Sequence, residues 1–253
     1  MLSLFDGVDN FEVQSYQSGV TFNATVGRPY GTLRGSNFVY LDGKPVVDQD
    51  TGAYLHSDTN EEIGDTNPDW IGGVYNGFRY KNVSFNFLID VRKGGDVYSL
   101  DTYYGFGSGL YPETVGTNAL GNPIRNHLED GGGYVFPGVA PDGSPNTVLA
   151  DVSDAVYSGG LFGDLPQAYH VEDGSYVKLR EVALTYNVPS KLTDKLGVEG
   201  LSFSFTGSNL WIIHKNLKYS DPEAGFSAGN AQGVQIGAYP TTKNYGLNIK
   251  MEF

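Results

Sequence analysis

The chain has 253 residues, no cysteine, and only 18% charged residues against 13% aromatic ones. Disulfide scaffolds and thiolate metal sites are therefore excluded, and a formal charge of −13 argues against nucleic-acid binding, which needs a basic face. No stretch is long and apolar enough for a transmembrane helix, and the opening MLSLFDGVDNFEVQ has neither a basic nor an apolar leader region.

Period-two alternation dominates the chain and predicts strands. Residues 19–26 and 31–41 are candidate strands near the start. Asp42, Asp48 and Asp50 lie near a glycine without the spacing of a helical calcium loop; a solvated hairpin is the expected structure, with an irregular Ca²⁺ loop as the alternative. Asp58, Glu61, Glu62, Asp65 and Asp69 precede the next apolar stretch and read as solvated loop surface, as do Asp142, Asp151, Asp154, Asp164, Glu172 and Asp173 further on. Residues 70–80 form a glycine-rich strand, and Lys81–Asn82 a tight turn into the next one. There Val83, Phe85, Phe87, Ile89 and Val91 alternate with polar residues, broken only by Leu88.

A connection of about 80 residues follows, with residues 95–175 expected as a long extracellular loop region. Its GFGSGL run has no helix pattern after it and is not a phosphate cradle. Tyr103, Tyr104, Tyr111, Tyr134 and Tyr169 are the candidate substrate contacts, since sugar rings stack on aromatic faces. His56, His127, His170 and His214 lack metal-ligand spacing and are expected to be solvated loop residues for the most part. No metal site, cofactor or catalytic constellation is expected.

In residues 176–188 the phase is mixed. Val182, Leu184, Tyr186 and Val188 share one face, but Val177 and Leu179 fall on the other, so a bulge or a membrane exit is expected near Arg180–Glu181. Ser190 to Leu196 is the one helical candidate, with Ser190 as N-cap and Gly197 as terminator. Residues 201–211 alternate Leu201, Phe203 and Phe205 with Ser202, Ser204 and Thr206. In 243–253, Tyr245, Leu247, Ile249, Met251 and Phe253 alternate with polar residues and end on an aromatic, the form of an outer-membrane assembly signal.

Short and long connections thus alternate. If Phe253 ends on the periplasmic side, every short connection falls there and every long one outside, the pattern of a transmembrane β-barrel. Tyr80, Tyr186, Trp211, Tyr245 and Phe253 lie near strand ends, where an interface favours amphipathic rings.

Four blocks carry a family resemblance. They are VGRPYGTLRGSNFVYLDGKPVVDQDTGAY (26–54), IGDTNPDWIGGVYNGFRYKNVSFNFLIDVRKGGDVYS (63–99), SYVKLREVALTYNVPSKLTDKLGVEGLSFSFTGSNLWIIHKNLKYSDPEAG (175–225) and GAYPTTKNYGLNIKMEF (237–253). In this order they resemble the SusC/RagA family of TonB-linked outer-membrane proteins. Departures are Asp65 where the family has Asn, Lys243 for Arg, and Met251-Glu252 extending the last strand. The resemblance implies an all-β fold: the C-terminal portion, about six to eight strands, of an antiparallel transmembrane barrel of about 22. The plug, the TonB box and the first strands are expected outside these 253 residues. It implies no enzyme activity but import of an oligosaccharide or peptide across the outer membrane, with a SusD-like lipoprotein, TonB and the barrel-assembly machinery as partners, and with lipid but no nucleic acid around it. The competing expectation is a soluble carbohydrate-binding β-sandwich or jelly roll, which would bury the alternating apolar face under protein.

Overall fold

The computed structural model describes residues 7–57, 60–153, 160–225 and 232–253, so Asp58 and Asp154 of the acidic runs lie outside the described residues. Along the chain run β1 (Asn10–Ser15), β2 (Thr21–Thr25), β3 (Tyr30–Gly35), β4 (Tyr40–Leu41), β5 (Lys44–Pro45), β6 (Glu61–Asp65), β7 (Pro68–Tyr80), β8 (Val83–Gly94) and β9 (Asp96–Ser99). They are followed by α1 (Leu100–Gly107), α2 (Gly160–Gly163), β10 (Val171–Asp173), β11 (Tyr176–Asn187), α3 (Ser190–Leu196), β12 (Gly200–Lys215), β13 (Val234–Gln235) and β14 (Asn244–Glu252). The chain divides into two compact units. The first is Met1–Asn67, Asp96–Glu172 and Gly225–Ala238; the second is Pro68–Gly95, Asp173–Ala224 and Tyr239–Phe253.

The second unit is one antiparallel sheet in the order β14-β12-β11-β8-β7. Its strands are long, 13, 12, 12, 16 and 9 residues in chain order, where about 9–11 tilted residues cross a bilayer. The turn at 81–82 works because Lys81 takes a left-handed conformation (φ 52°). The other short connection holds α3, and here one expectation fails. Pro189, not Ser190, is the N-cap, with no side-chain cap bond. Pro189 sits at φ −60° and ψ 143°, outside the helix, which makes Ser190 the first helical residue. Gly197 closes the helix at φ 68°, as the glycine signal implies.

Register explains the mixed phase of β11. Leu179 pairs with Ile89, and Glu181 with Leu88, so two residues advance on β11 for one on β8. Arg180 is the extra residue of a bulge, which returns Val177 and Leu179 to the same face as Val182 and Leu184. One transverse row then reads Phe78, Phe85, Leu184, Phe205 and Leu247, and the next Tyr80, Val83, Tyr186, Phe203 and Ile249. The opposite face reads Arg79, Ser84, Thr185, Ser204 and Asn248.

The first unit draws on the segments before β7, between β8 and β11, and between β12 and β14. It holds a four-stranded antiparallel sheet β1-β2-β3-β6, a three-stranded sheet β10-β9-β13 with β13 parallel to β9, and the β4-β5 hairpin. The candidate strand at 19–26 falls in the four-stranded sheet as β2, whereas the one at 31–41 is broken, its first part being β3 of that sheet and its end β4 of the hairpin; five strands form the long sheet among the described residues. The acidic 42–50 stretch begins as the expected hairpin turn, with Asp42 and Gly43 both left-handed (φ 49° and 75°). Two cores hold the unit. One gathers Val47, Tyr54, Phe106, Ile124, Phe136, Ala150, Val152, Phe162 and Leu165; the other Val20, Phe22, Leu33, Tyr98, Leu100 and Val234. Helix α1 gave no periodic signal. Ser99 caps it by accepting from the Thr102 N–H, and Gly105 lies under the Tyr111 ring, where a Cβ would stand 2.3 Å from a ring carbon.

Candidate functional site

The long sheet presents two chemically opposed faces. On the apolar face Phe78 is 59% exposed, Leu184 46%, Phe205 46% and Leu247 72%. Leaving side chains of this size in water forgoes about 1.5–3 kcal/mol each, so the face is built for an apolar medium. Trp70 and Tyr80 stand at the two ends of β7 on this face, both exposed. Ten residues of strand cover about 34 Å, or about 26 Å along the normal of a barrel with strands tilted about 40°, close to the height of a barrel's apolar band. Tyr245, Leu247, Ile249, Met251 and Phe253 are all exposed, on a strand that pairs only with β12 among the described residues.

Near the β12 end of the polar face lies a knot of charges that the sequence reading did not single out. Lys178 is 1% exposed. Its Nζ donates to Asp221 Oδ1 at 3.2 Å, to Thr241 Oγ1 at 3.1 Å and, in a short contact, to Glu223. Arg180, placed by the bulge, donates Nε to Asp90 Oδ2 at 3.1 Å, Nη1 to Asn209 Oδ1 at 2.7 Å and Nη2 to Glu223 Oε1 at 2.8 Å. Tyr176 donates its hydroxyl to Asp90 Oδ2 at 3.2 Å. Asp221 also accepts from the Thr241 N–H (2.9 Å) and hydroxyl (2.6 Å), so the two feet of the β12–β14 connection are tied together. Burial alone would raise the Asp221 carboxyl. The Thr241 hydroxyl, the Glu223 and Thr241 N–H groups and the Lys178 charge overcome that and hold it at about 2. Glu223 is likewise lowered against its burial, by Arg180 and Lys178. The clue in the sequence was the phase break at Arg180, beside two cations in an otherwise alternating strand.

In the first unit the five candidate tyrosines join one aromatic network. Tyr111 and Tyr169 each lie 5.2 Å from Phe106, Tyr134 lies 5.4 Å from Phe162, and Tyr103 lies 5.2 Å from Tyr104 and 5.4 Å from His170. Tyr104 and Tyr169 face solvent, and Tyr103, Tyr111 and Tyr134 are half-buried. His170 corrects an expectation. It is 1% exposed rather than solvated, ringed by Tyr98, Tyr103, Phe106 and Tyr169, with Nδ1 3.2 Å from Thr102 Oγ1. His56, His127 and His214 are exposed.

Burial pushes the His170 ring down to about 4 from 6.5. Between those values the unfolded chain binds the extra proton, so this contribution is complete above about pH 6.5 and is lost as pH falls to about 4. It amounts to about 3 kcal/mol. Protection factors of the α1 amides, taken relative to the intrinsic exchange rate at each pH, should fall as pH drops across that window, and His170→Phe should flatten the response. An unchanged response in the variant would place the acid sensitivity elsewhere.

Among the described residues no group of three or more His, Asp or Glu side chains is placed to hold a metal ion. The long antiparallel sheet, apolar outside and polar inside, defines a class: part of a transmembrane β-barrel wall. No family model matches the chain. Among curated proteins it is 29% identical over 224 residues to TonB-dependent receptor P26 of Formosa agariphila, covering 84% of this chain and 20% of the relative. It is 26% identical over 281 residues to TonB-dependent receptor P3 of the same organism, covering all of this chain and 25% of the relative. The chain thus spans a quarter or less of these relatives' length. Among solved structures it superposes over its whole length on a quarter of a chain of the RagAB peptide importer in the open-open state, at a TM-score of 0.63 and 18% identity. The closed-closed state of the same importer gives 0.62 and 16%. The chain is related in sequence to the TonB-dependent receptors, and its fold is that of a section of the RagAB importer chain.

Proposed function

We propose that the chain forms a section of the wall of an outer-membrane importer, together with the folded connections that meet cargo outside. The observation that carries this reading is the two neighbouring rows of exposed apolar side chains that cross all five strands on one face. The cargo is a glycan or a peptide, captured with a SusD-like lipoprotein and moved with energy from TonB; no bond is made or broken. Tyr104 and Tyr169 are the exposed tyrosines and would meet cargo first, with Tyr103, Tyr111 and Tyr134 half-buried in the same aromatic network. The final strand to Phe253 serves as the assembly signal. A soluble sandwich would need a second layer over the apolar face, and among the described residues that face is bare.

Fractionation of the natural producer tests the reading. The protein should stay in the envelope after carbonate washing, require detergent for release, and shift in electrophoretic mobility on boiling, as closed barrels do. Release into the soluble fraction without detergent would overturn it. Deleting Phe253 should lower the outer-membrane level while leaving synthesis unchanged; an equal level would remove the assembly role from that residue.

A further inference from the structure

Beside the charge knot the long sheet carries a recess of about 400 Å³, wholly within the second unit. Register puts its lining on the polar face. Ala183, Thr206 and Gly246 form one transverse row, and Glu181, Ser208 and Asn244 the next. The hollow arises because Ala183 and Gly246 have little or no side chain where the rest of this face carries polar ones. Gly246 must stay bare, since a Cβ there would stand 2.7 Å from Thr206 Oγ1.

The polar groups around the hollow are hardly engaged with one another. Asn244 Nδ2 reaches Ser208 Oγ and the Thr242 carbonyl only at 3.4 Å each, and Thr206 Oγ1 reaches the Gly246 carbonyl at 3.5 Å, the outer limit of a hydrogen bond. Glu181 is exposed, and among the described residues its carboxylate has no hydrogen bond and no ion pair. Its neighbour Arg180 does not serve it, being held by Asp90, Asn209 and Glu223. An ionised carboxylate only accepts, and it can accept from two donors at once; hydroxyls and an amide both donate and accept. This set asks for a ligand whose adjacent groups do both. A peptide offers its main-chain donors singly, at about 3.4 Å per residue along an extended chain. An apolar group would desolvate three polar side chains without compensation, and an anion would meet an unbalanced negative charge.

We propose that this recess is a subsite for one neutral pyranose unit of a glycan. Glu181 accepts from two neighbouring sugar hydroxyls, Asn244, Ser208 and Thr206 exchange hydrogen bonds with the others, and the ring rests over Ala183 and Gly246. The volume lies within the range of small-molecule sites. The assignment rests on the importer reading, which gives this face an aqueous interior, and it narrows the cargo to a carbohydrate.

The test uses the full-length protein purified in detergent from the natural producer, with saturation-transfer NMR. The probes are the methyl glycosides of glucose, galactose, mannose and N-acetylglucosamine, with methyl glucuronoside and trialanine beside them. At least one neutral glycoside should bind, and the glucuronoside should bind at least about fivefold more weakly. Glu181→Gln keeps the shape and removes the charge; it should weaken sugar binding about tenfold. Ala183→Leu fills the hollow and should abolish it. Asn248→Ala, on the same face outside the recess, should leave it unchanged. A heat-modifiable band at parental level confirms that each variant is assembled. The assignment is overturned if no neutral glycoside binds, if binding ignores both Glu181→Gln and Ala183→Leu, if the glucuronoside binds as tightly as the neutral sugars, or if trialanine is the probe that Ala183→Leu displaces. Those results leave the importer reading in place. Release of the protein without detergent would overturn that reading, and the subsite with it.

Discussion

Lys178→Ala should release the β12–β14 connection from the sheet. The substitution leaves Asp221 and Glu223 facing each other across the space of a lost cation, with Arg180 alone to balance them. Breaking a buried ion pair from one side costs about 3–5 kcal/mol, because the remaining charge stays desolvated. The pairing of Asp221 with Thr241 depends on the same charge, so both feet of the connection should loosen. Trypsin should then cut after Lys218 and Lys243 many times faster than in the parent protein. The double variant Lys178→Met with Asp221→Asn removes charge from both sides and should recover part of the protection. Equal cleavage in parent and Lys178→Ala would show that the knot does not hold this segment. Because the Asp221 carboxyl is held at about 2, its contribution to the knot should persist down to about pH 4, through the whole window in which the His170 contribution disappears, and be lost only as pH falls further toward 2.

The second large effect concerns the apolar face. Phe205 lies mid-row between Leu184 and Leu247, and Thr206 beside it points to the other face. Phe205→Arg puts a cation toward lipid near the midplane, at a cost of about 2–4 kcal/mol. Thr206→Arg faces the polar side and should cost little. The assembled outer-membrane level, read as the heat-modifiable band, should collapse for the first and survive for the second. A reversed or equal result would mean that the two faces have been assigned the wrong way round.

Much of the long sheet was legible in the sequence because a sheet with one face in lipid forces strict alternation, and Phe85, Phe203 and Leu247 display it without help. The break in β11 was visible too, but its meaning needed register: only pairing with Ile89 and Leu88 shows that Arg180 is the extra residue. The first unit was far less legible. Its cores join residues as distant as Val47 and Phe162 through irregular backbone, which has no period to detect. Helix α1 is eight residues long and glycine-rich, too short to show a stripe. The knot was hidden for a different reason. Asp90, Lys178, Asp221 and Thr241 come from segments far apart in the chain, and charge in a sequence reads by default as solvated surface. His170 was misread on the same default.

The two cores of the first unit draw only on its own segments, although those segments are threaded between the strands of the sheet. Changes to the first unit therefore need not disturb the register on which the long sheet depends. On the proposed importer function, such a molecule can diversify what it admits while inheriting its membrane scaffold unchanged, and lineages that meet new nutrients can rework the one part without renegotiating the other.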